Sequence, residues 1–175
     1  MPRPHPLPPN TNLRAWLQAP SSLTARLRRH GTVEVIVLCQ GSHALWLHER
    51  HDLQCVVGHV REVALLVNGV PAVWARSATS CTAIQGPWKA LVSLGTRPLA
   101  ELLFSNRLIR RDPLQPHHIQ RHGPMECHLR GDWAGLQQTI SDSYLPRWAR
   151  SSVFWHGNQP LRVMEAFAPW ITRLS

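Results

Sequence analysis

An asparagine–glycine pair, Asn68-Gly69, lies between two runs of β-forming residues in the middle of the chain. The runs span residues 59–67 and 70–77, and most of their side chains are apolar. An Asn-Gly pair between such runs is the strongest short-range indication of a two-residue hairpin turn, because both residues adopt positive φ at little cost. The sequence therefore predicts an antiparallel hairpin over these residues.

A two-residue turn would also determine the register of this hairpin. Val67 would face Val70 and, counting along both strands in steps of two, Arg61 would face Arg76. Alternation puts these side chains on one mostly apolar face, which is expected to point inward. Two arginines side by side repel one another unless an anion lies between them or both extend into solvent at the edge of the sheet. The sequence leaves both interpretations open.

A second hairpin is predicted near the end of the chain, over 151–155 and 161–168. One face of its last strand is apolar except for Glu165. A carboxylate aimed at the core needs a cation or a hydrogen-bond donor as its partner. Arg150 would supply a purely structural partner, whereas an inward acid together with inward arginines favours a polar pocket.

Two short helices are predicted to present free backbone amides. One begins after Ser21 or Ser22, either of which could cap it, and the other is expected to be capped by Thr96. Leu23 and Leu99 then lie in the first turns, where amide N–H groups have no partner inside the helix and attract anions. Every helix has such donors, so neither position identifies a site by itself.

The length of 175 residues suits one domain. Residues 1–12 are rich in proline and predict a disordered leader, after which the domain occupies residues 13–175. Turn residues and clustered histidines mark the stretch 113–146, with one short helix predicted near 133–140. We expect this stretch to be a long insertion that forms a lid outside the core.

The formal net charge is +9, and all but one of the 19 basic residues are arginines. Arginine suits two-pronged binding of carboxylate or phosphate, although the codon usage of a GC-rich genome gives the same bias. The arginines are scattered and form no nucleic-acid-binding motif, so we expect no nucleic-acid partner. Because the sequence has neither a run of 18 apolar residues nor an apolar signal core, we expect no membrane insertion and a cytoplasmic location.

Residue types that bind metals show no ligand spacing. Cys39, Cys55, Cys81 and Cys127 are far apart in the sequence and are expected to be buried free thiols. A histidine-rich segment follows at 117–128, but proline and glycine interrupt this stretch, and no two of its members have clean helical or zinc-finger spacing. We therefore predict no metal site. The residues considered are His117, His118, His122, Cys127 and His128.

In their order and spacing, several segments resemble the chorismate–pyruvate lyase family. The agreement covers about residues 13–112 and 146–169, and no single motif carries it. The segments are Arg61-Glu62, the Asn-Gly hairpin up to Arg76, Leu94-Gly95 with Pro98-Leu99, Leu103-Phe104, Arg111-Asp112, Trp148-Ala149-Arg150, and Pro160-Leu161 with Glu165 and Phe167.

The resemblance implies a single α+β domain with a mostly antiparallel six-stranded sheet, whose helices form flaps over a buried ligand cavity. It implies a lyase that splits chorismate into 4-hydroxybenzoate and pyruvate for ubiquinone biosynthesis, without a cofactor or a metal. The implied partners are the small-molecule substrate and product, and we expect a cytoplasmic monomer.

The functional residues of that family fall on positions discussed above. Its carboxylate-binding arginine corresponds to Arg61, and the acid that meets the ring hydroxyl corresponds to Glu165; these are the expected catalytic residues. Backbone amide contacts to the substrate correspond to Leu23 and Leu99. A second arginine near the substrate corresponds to Arg76.

The main alternative is a non-catalytic binding module. The same fold serves as the effector-sensing domain of some bacterial transcription regulators, so the domain could instead bind a small aromatic carboxylate. About twelve residues precede the first predicted helix, which is too few for a winged-helix DNA reader. The lyase is therefore the favoured interpretation.

Overall fold

One antiparallel sheet forms the centre of the computed structural model, which describes residues 10–136 and 144–174. Within these residues the strands are β1 (Val33–Ala44), β2 (Val57–Val67), β3 (Val70–Ser80), β4 (Ile109–Arg111), β5 (Gln115–His118), β6 (Trp148–His156) and β7 (Gln159–Phe167). Their spatial order is β1-β2-β3-β7-β6-β4, and β5 pairs with β6 as well. Because β4 and β5 follow one another along β6, seven strands fill the six positions of the predicted sheet.

Helices cover both faces of this sheet. Those in the described residues are α1 (Thr11–Leu17), α2 (Leu23–Leu27), α3 (Leu47–Leu53), α4 (Cys81–Gln85), α5 (Leu99–Ser105) and α6 (Pro124–Leu136), with 3-10 turns at Lys89–Leu91 and Pro169–Arg173. On one face, α1 and α2 pack against β2 and β7, and α5 packs near β6 and β7. On the other face, α6 packs against β3 and β7, and α3 against β2 and β3. The predicted α+β architecture is confirmed.

The Asn-Gly turn forms as predicted. Asn68 and Gly69 have φ values of 50° and 77°, the positive φ pair of a type I′ turn. The Asn68 side chain also accepts a hydrogen bond from the Thr32 backbone N–H at 2.9 Å, which ties the turn to the start of β1. The second predicted hairpin forms as β6 and β7, and both of its strands are longer than expected.

The predicted register of the first hairpin is wrong. Val67 faces Val70, but a β-bulge beside Leu65 and Leu66 shifts every later pair by one residue. The bulge lies next to Pro71, which has no N–H to donate to the ladder, and strand prolines are typically confined to such places. Arg76 therefore faces Glu62, while Arg61 faces Ser77. The two arginines point to opposite faces of the sheet.

The prediction that 113–146 forms a lid outside the core is also wrong. Its β5 is paired with β6, and α6 buries Leu129 and Trp133 against Trp74 and Met164. The segment thus completes one edge of the sheet and covers one of its faces. The helix predicted near 133–140 overlaps only the end of α6, and residues 137–143 lie outside the described residues.

At the N-terminus, residues 1–9 of the predicted leader lie outside the described residues. The helix α1 begins at Thr11, inside the predicted leader, because the Asn10 side chain caps it by accepting from Leu13 N at 2.7 Å. Of the two caps predicted for α2, Ser22 is the one that forms, accepting from Ala25 N at 3.2 Å.

The predicted cap of α5 at Thr96 is wrong. Pro98 occupies the cap position, and α5 begins at Leu99. A proline disfavours helical geometry in the residue before it, so the chain cannot be helical from Thr96 onward. Leu99 is therefore the first residue of its helix, where its N–H still has no acceptor inside the helix.

No helix in the described part of the chain is long and apolar enough to cross a membrane. The four cysteines are free, as expected, but none is buried: Cys39 and Cys55 are half-buried, and Cys81 and Cys127 are exposed.

Candidate active site

A cavity lies on one face of the sheet, beneath the first turns of α2 and α5. Strands β2, β3, β7 and β6 form its floor, and most of the lining is apolar. The polar exceptions among the larger side chains are four charged groups. They are Arg61, Arg111, Arg150 and Glu165.

The strand pairing explains why these groups converge. Glu165 on β7 lies between Ala75 of β3 and Arg150 of β6, and all three point into the cavity. Arg61 on β2 faces Ser77, which lies two residues from Ala75 along β3 and on the same face of the sheet. Since neighbouring strands are about 4.8 Å apart, the backbones of β2 and β7 are separated by about 10 Å.

Arg61 is a buried cation without a counter-ion. It is 2% exposed, and its Nη2 donates to the backbone carbonyls of Gly95 at 2.8 Å and Arg97 at 3.3 Å. Its Nε has no partner, and no carboxylate among the described residues forms an ion pair with it. Burial lowers the pKa of the Arg61 guanidinium from its ordinary value, and no nearby anion offsets that effect. Such an arrangement calls for an anionic ligand.

Glu165 forms an ion pair with Arg150 on the floor of the cavity. Arg150 Nε donates to Glu165 Oε2 at 2.5 Å, and its Nη1 donates to the carbonyls of Trp16 and Ala19, each at 2.9 Å. The structural partner considered from the sequence is therefore present. Only one oxygen of Glu165 is engaged, and the described residues offer no partner for Oε1.

Arg111 belongs to one of the segments that resemble the family, but the sequence predicts no role for it. Its Nε donates to Ser152 Oγ at 3.3 Å and its Nη1 to the Pro20 carbonyl at 3.0 Å, and its guanidinium lies 4.9 Å from the ring of Phe154. Burial lowers the pKa of the Arg111 guanidinium, with Glu165 acting in the opposite direction. Its position in the cavity depends on the pairing of β4 with β6, which the sequence did not predict.

Arg76, by contrast, does not reach the cavity. It lies on the opposite face, where it donates to Glu49 at 2.6 and 2.9 Å and to Glu62 at 2.5 Å. Trp46 covers it, with the guanidinium 4.3 Å from the ring. Its charge is thus satisfied within the protein. The hypothesis that an anion lies between Arg61 and Arg76 is wrong, because the bulge places the two side chains on opposite faces of the sheet.

Leu23 and Leu99 both line the cavity, as the first residues of α2 and α5. Neither backbone N–H donates to a carbonyl in the described residues. The two helix starts therefore lie over the same cavity as Arg61 and Glu165.

Of the five candidate metal ligands from the sequence, His128 alone lies in a cluster of possible ligands among the described residues. In the part of the chain that the structure describes, this group is Glu62, His128 and Asp132, whose ligand atoms lie within 4.8 Å of one another. Glu62 is already 2.5 Å from Arg76, and a guanidinium at that distance competes with any cation for the carboxylate. The group is explained as part of an ion-pair network on the face of the sheet opposite the cavity.

His128 makes the stability of this network depend on pH. Its hydrogen bond to Glu62 at 3.0 Å raises the pKa of His128, against the effects of burial and Arg76. Stability from a raised pKa is fully present below the unfolded value of about 6.5 and is lost as the pH rises through the folded value. We expect the free energy of unfolding of the wild type, relative to His128→Gln, to fall as the pH rises above about 6.5.

Denaturant unfolding of both proteins across this range checks the prediction. Taking the difference removes the contribution of His48, His59 and His117, whose pKa values burial lowers and which therefore destabilise the fold as the pH falls. A difference that does not change with pH would contradict the assigned role of His128.

Solved structures share this fold at low sequence identity. The effector domain of PhnF from Mycobacterium smegmatis has a TM-score of 0.55 and 11% identity, covering 85% of this chain and 89% of that one. The C-terminal domain of the histidine utilization repressor from Pseudomonas syringae has a TM-score of 0.54 and 13% identity, covering 82% and 96%. At such identities the likeness shows the fold alone.

Sequence relatives are much closer. A protein of Albidiferax ferrireducens named "Probable chorismate pyruvate-lyase" is 42% identical over 168 residues, covering 91% of this chain and 84% of that protein. A protein of the same name from Azoarcus sp. is 39% identical over 175 residues, covering 95% and 90%. The family model described as chorismate lyase matches residues 4–173. The chain therefore belongs to the chorismate lyase family.

Proposed function

We propose that this protein is a chorismate lyase, which eliminates pyruvate from chorismate to give 4-hydroxybenzoate for ubiquinone biosynthesis. The observation that carries the proposal is Arg61, a cation buried at the lining of a cavity with no counter-ion in the described residues. The named relatives and the family match support the same reaction.

Arg61 binds the ring carboxylate of the substrate. The amide N–H groups of Leu23 and Leu99 supply further donors at the same cavity. Hydrogen bonds from a guanidinium to a carboxylate are among the strongest in proteins, and they strengthen further where water is excluded. The carboxylate thereby supplies the charge that the protein itself leaves unmatched.

Glu165 binds the 4-hydroxyl at the other end of the ring. Arg150 holds one of its oxygens, which leaves Oε1 to accept from the hydroxyl. The separation of about 10 Å between the backbones of β2 and β7 leaves room for a six-membered ring between the two side chains. Glu165 thus fixes the orientation of the ring.

The reaction is balanced without an added oxidant or reductant. The bond between C3 and the ether oxygen breaks, and its electron pair leaves with the enolpyruvate. The hydrogen on C4 leaves as a proton, so the ring becomes aromatic, and enolpyruvate gains a proton on its methylene carbon to become pyruvate. Aromatisation makes the step strongly favourable, so the protein contributes mainly positioning and electrostatic stabilisation of the departing group.

Purified protein mixed with chorismate is expected to release 4-hydroxybenzoate and pyruvate in equal amounts. Glu165→Gln is expected to lower kcat/KM about a hundredfold, because the amide orients the hydroxyl less well and accepts no proton. Glu34→Gln is the matched control, since Glu34 is exposed on β1 and does not line the cavity. Unequal release of the products, or a Glu165→Gln variant as active as the control, would contradict the proposal.

A second candidate is a sensor that binds a small aromatic carboxylate without turning it over, because an effector domain shares this fold. Tight binding of 4-hydroxybenzoate with no pyruvate released from chorismate would favour this sensor. We propose further that the protein acts as a cytoplasmic monomer on small molecules only. Light scattering of the purified protein tests the oligomeric state.

A further inference from the structure

Arg111 enters the cavity from the side opposite Arg61. Arg61 lies on β2 and Arg111 on β4, at the two ends of the strand order β2-β3-β7-β6-β4. Arg111 forms no ion pair with a carboxylate of the described residues, and its Nη2 has no partner there. It is therefore a second guanidinium in the cavity whose charge the protein does not match.

The strand pairing places Arg111 at the Glu165 end of the cavity, because β4 pairs with β6, and β6 pairs Arg150 with Glu165 of β7. Glu165 and Arg150 are the two charged groups that act on its guanidinium. The charge of Arg150 is already matched, since it forms an ion pair with Glu165 and also donates to two backbone carbonyls. Arg111 is thus the guanidinium near Glu165 whose charge no carboxylate of the described residues pairs with.

The shape of chorismate brings its second carboxylate to this end. The enolpyruvyl ether is attached to C3, which is adjacent to C4. A substrate whose 4-hydroxyl contacts Glu165 and whose ring carboxylate contacts Arg61 carries the enolpyruvyl group beside Glu165. We propose that Arg111 binds the enolpyruvyl carboxylate, and this proposal rests on the proposed function.

The charge of the cavity agrees with this assignment. Its lining holds three guanidiniums and one carboxylate, a net charge of two positive units that matches the dianionic substrate. Cleavage divides the two negative charges between the products, one on each. Arg111 then holds a carboxylate that departs with pyruvate, and it contributes nothing to the binding of 4-hydroxybenzoate.

The test compares two ligands that cannot be cleaved. One is 4-hydroxybenzoate, and the other is 3-(carboxymethoxy)-4-hydroxybenzoate, which adds an ether carboxylate at C3. Arg111→Gln is expected to raise the Kd of the dicarboxylate about 10- to 100-fold, the range of one charge-assisted contact, and that of 4-hydroxybenzoate less than about threefold. The KM for chorismate is expected to rise as well. Arg110→Gln, an exposed neighbour on β4, is the matched control.

Arg111→Met, which keeps a long side chain beside Phe154, is measured alongside in case the glutamine variant does not fold. Equal losses for both ligands would overturn the proposal, because they would show that Arg111 only shapes the cavity. Unchanged affinity for the dicarboxylate would overturn it as well. If the wild-type protein does not turn over chorismate, the proposed function fails, and the ratio of the two affinities still reports separately on Arg111.

Discussion

Replacing Arg61 with methionine is expected to lower kcat/KM for chorismate about a thousandfold, because removing one partner of a buried, hydrogen-bonded charge pair costs a complex about 2–5 kcal/mol. The same variant is expected to unfold at an unchanged or a higher Tm. A guanidinium that is 2% exposed and has no counter-ion is costly to bury, and an apolar side chain of similar length removes that cost. In this variant, kcat/KM should therefore fall while the Tm rises or stays the same.

Steady-state kinetics, calorimetric binding of 4-hydroxybenzoate and thermal unfolding measure the three quantities. Arg107→Met is the control, because Arg107 is exposed and has no ion pair among the described residues. A large loss of Tm together with normal activity of the folded fraction would show that Arg61 serves the fold and not the substrate.

The second large effect is expected at Arg76, where a substitution should lower the stability and leave the activity nearly unchanged. Arg76→Met leaves Glu49 and Glu62 buried without their cation, and removing one partner of a buried ion pair costs about 3–5 kcal/mol. For a protein of this size that corresponds to a decrease in Tm of about 10 °C. Because Arg76 points away from the cavity, kcat/KM of the folded protein should change less than about threefold.

The control for Arg76 removes all three charges together. A triple variant with Glu49→Gln, Glu62→Gln and Arg76→Met should recover much of the lost stability, since replacing a whole buried ionic group is far less costly than breaking it. A raised KM with an unchanged Tm in the single variant would instead assign Arg76 to the substrate, as the sequence had suggested.

Local patterns predicted the elements of this fold better than their mutual arrangement. The Asn68-Gly69 turn, the second hairpin and the cap at Ser22 depend on neighbouring residues, and all three form. The inward direction of Glu165 follows from simple alternation along one strand, and it too is present. These features require no knowledge of distant parts of the chain.

The features that the sequence did not predict depend on a one-residue shift in strand register or on contacts between distant parts of the chain. The side of the sheet on which Arg76 lies depends on a bulge that the alternating pattern does not reveal. Arg111 reaches the cavity through the pairing of β4 with β6, and α6 reaches the core by packing on Trp74. Periodicity within 113–146 is too weak to show that this segment belongs to the sheet and the core.

The bulge beside Pro71 has a consequence for how this sequence tolerates insertions and deletions. Each residue added to or removed from a strand inverts the direction of every side chain beyond it. Deleting Ala72 would turn Arg76 toward the cavity and Ser77 away from it, without changing the identity of either residue. The number of residues between the turn and Arg76 therefore matters as much as their chemistry, and we expect changes of chain length to be tolerated in the loops and not in β3.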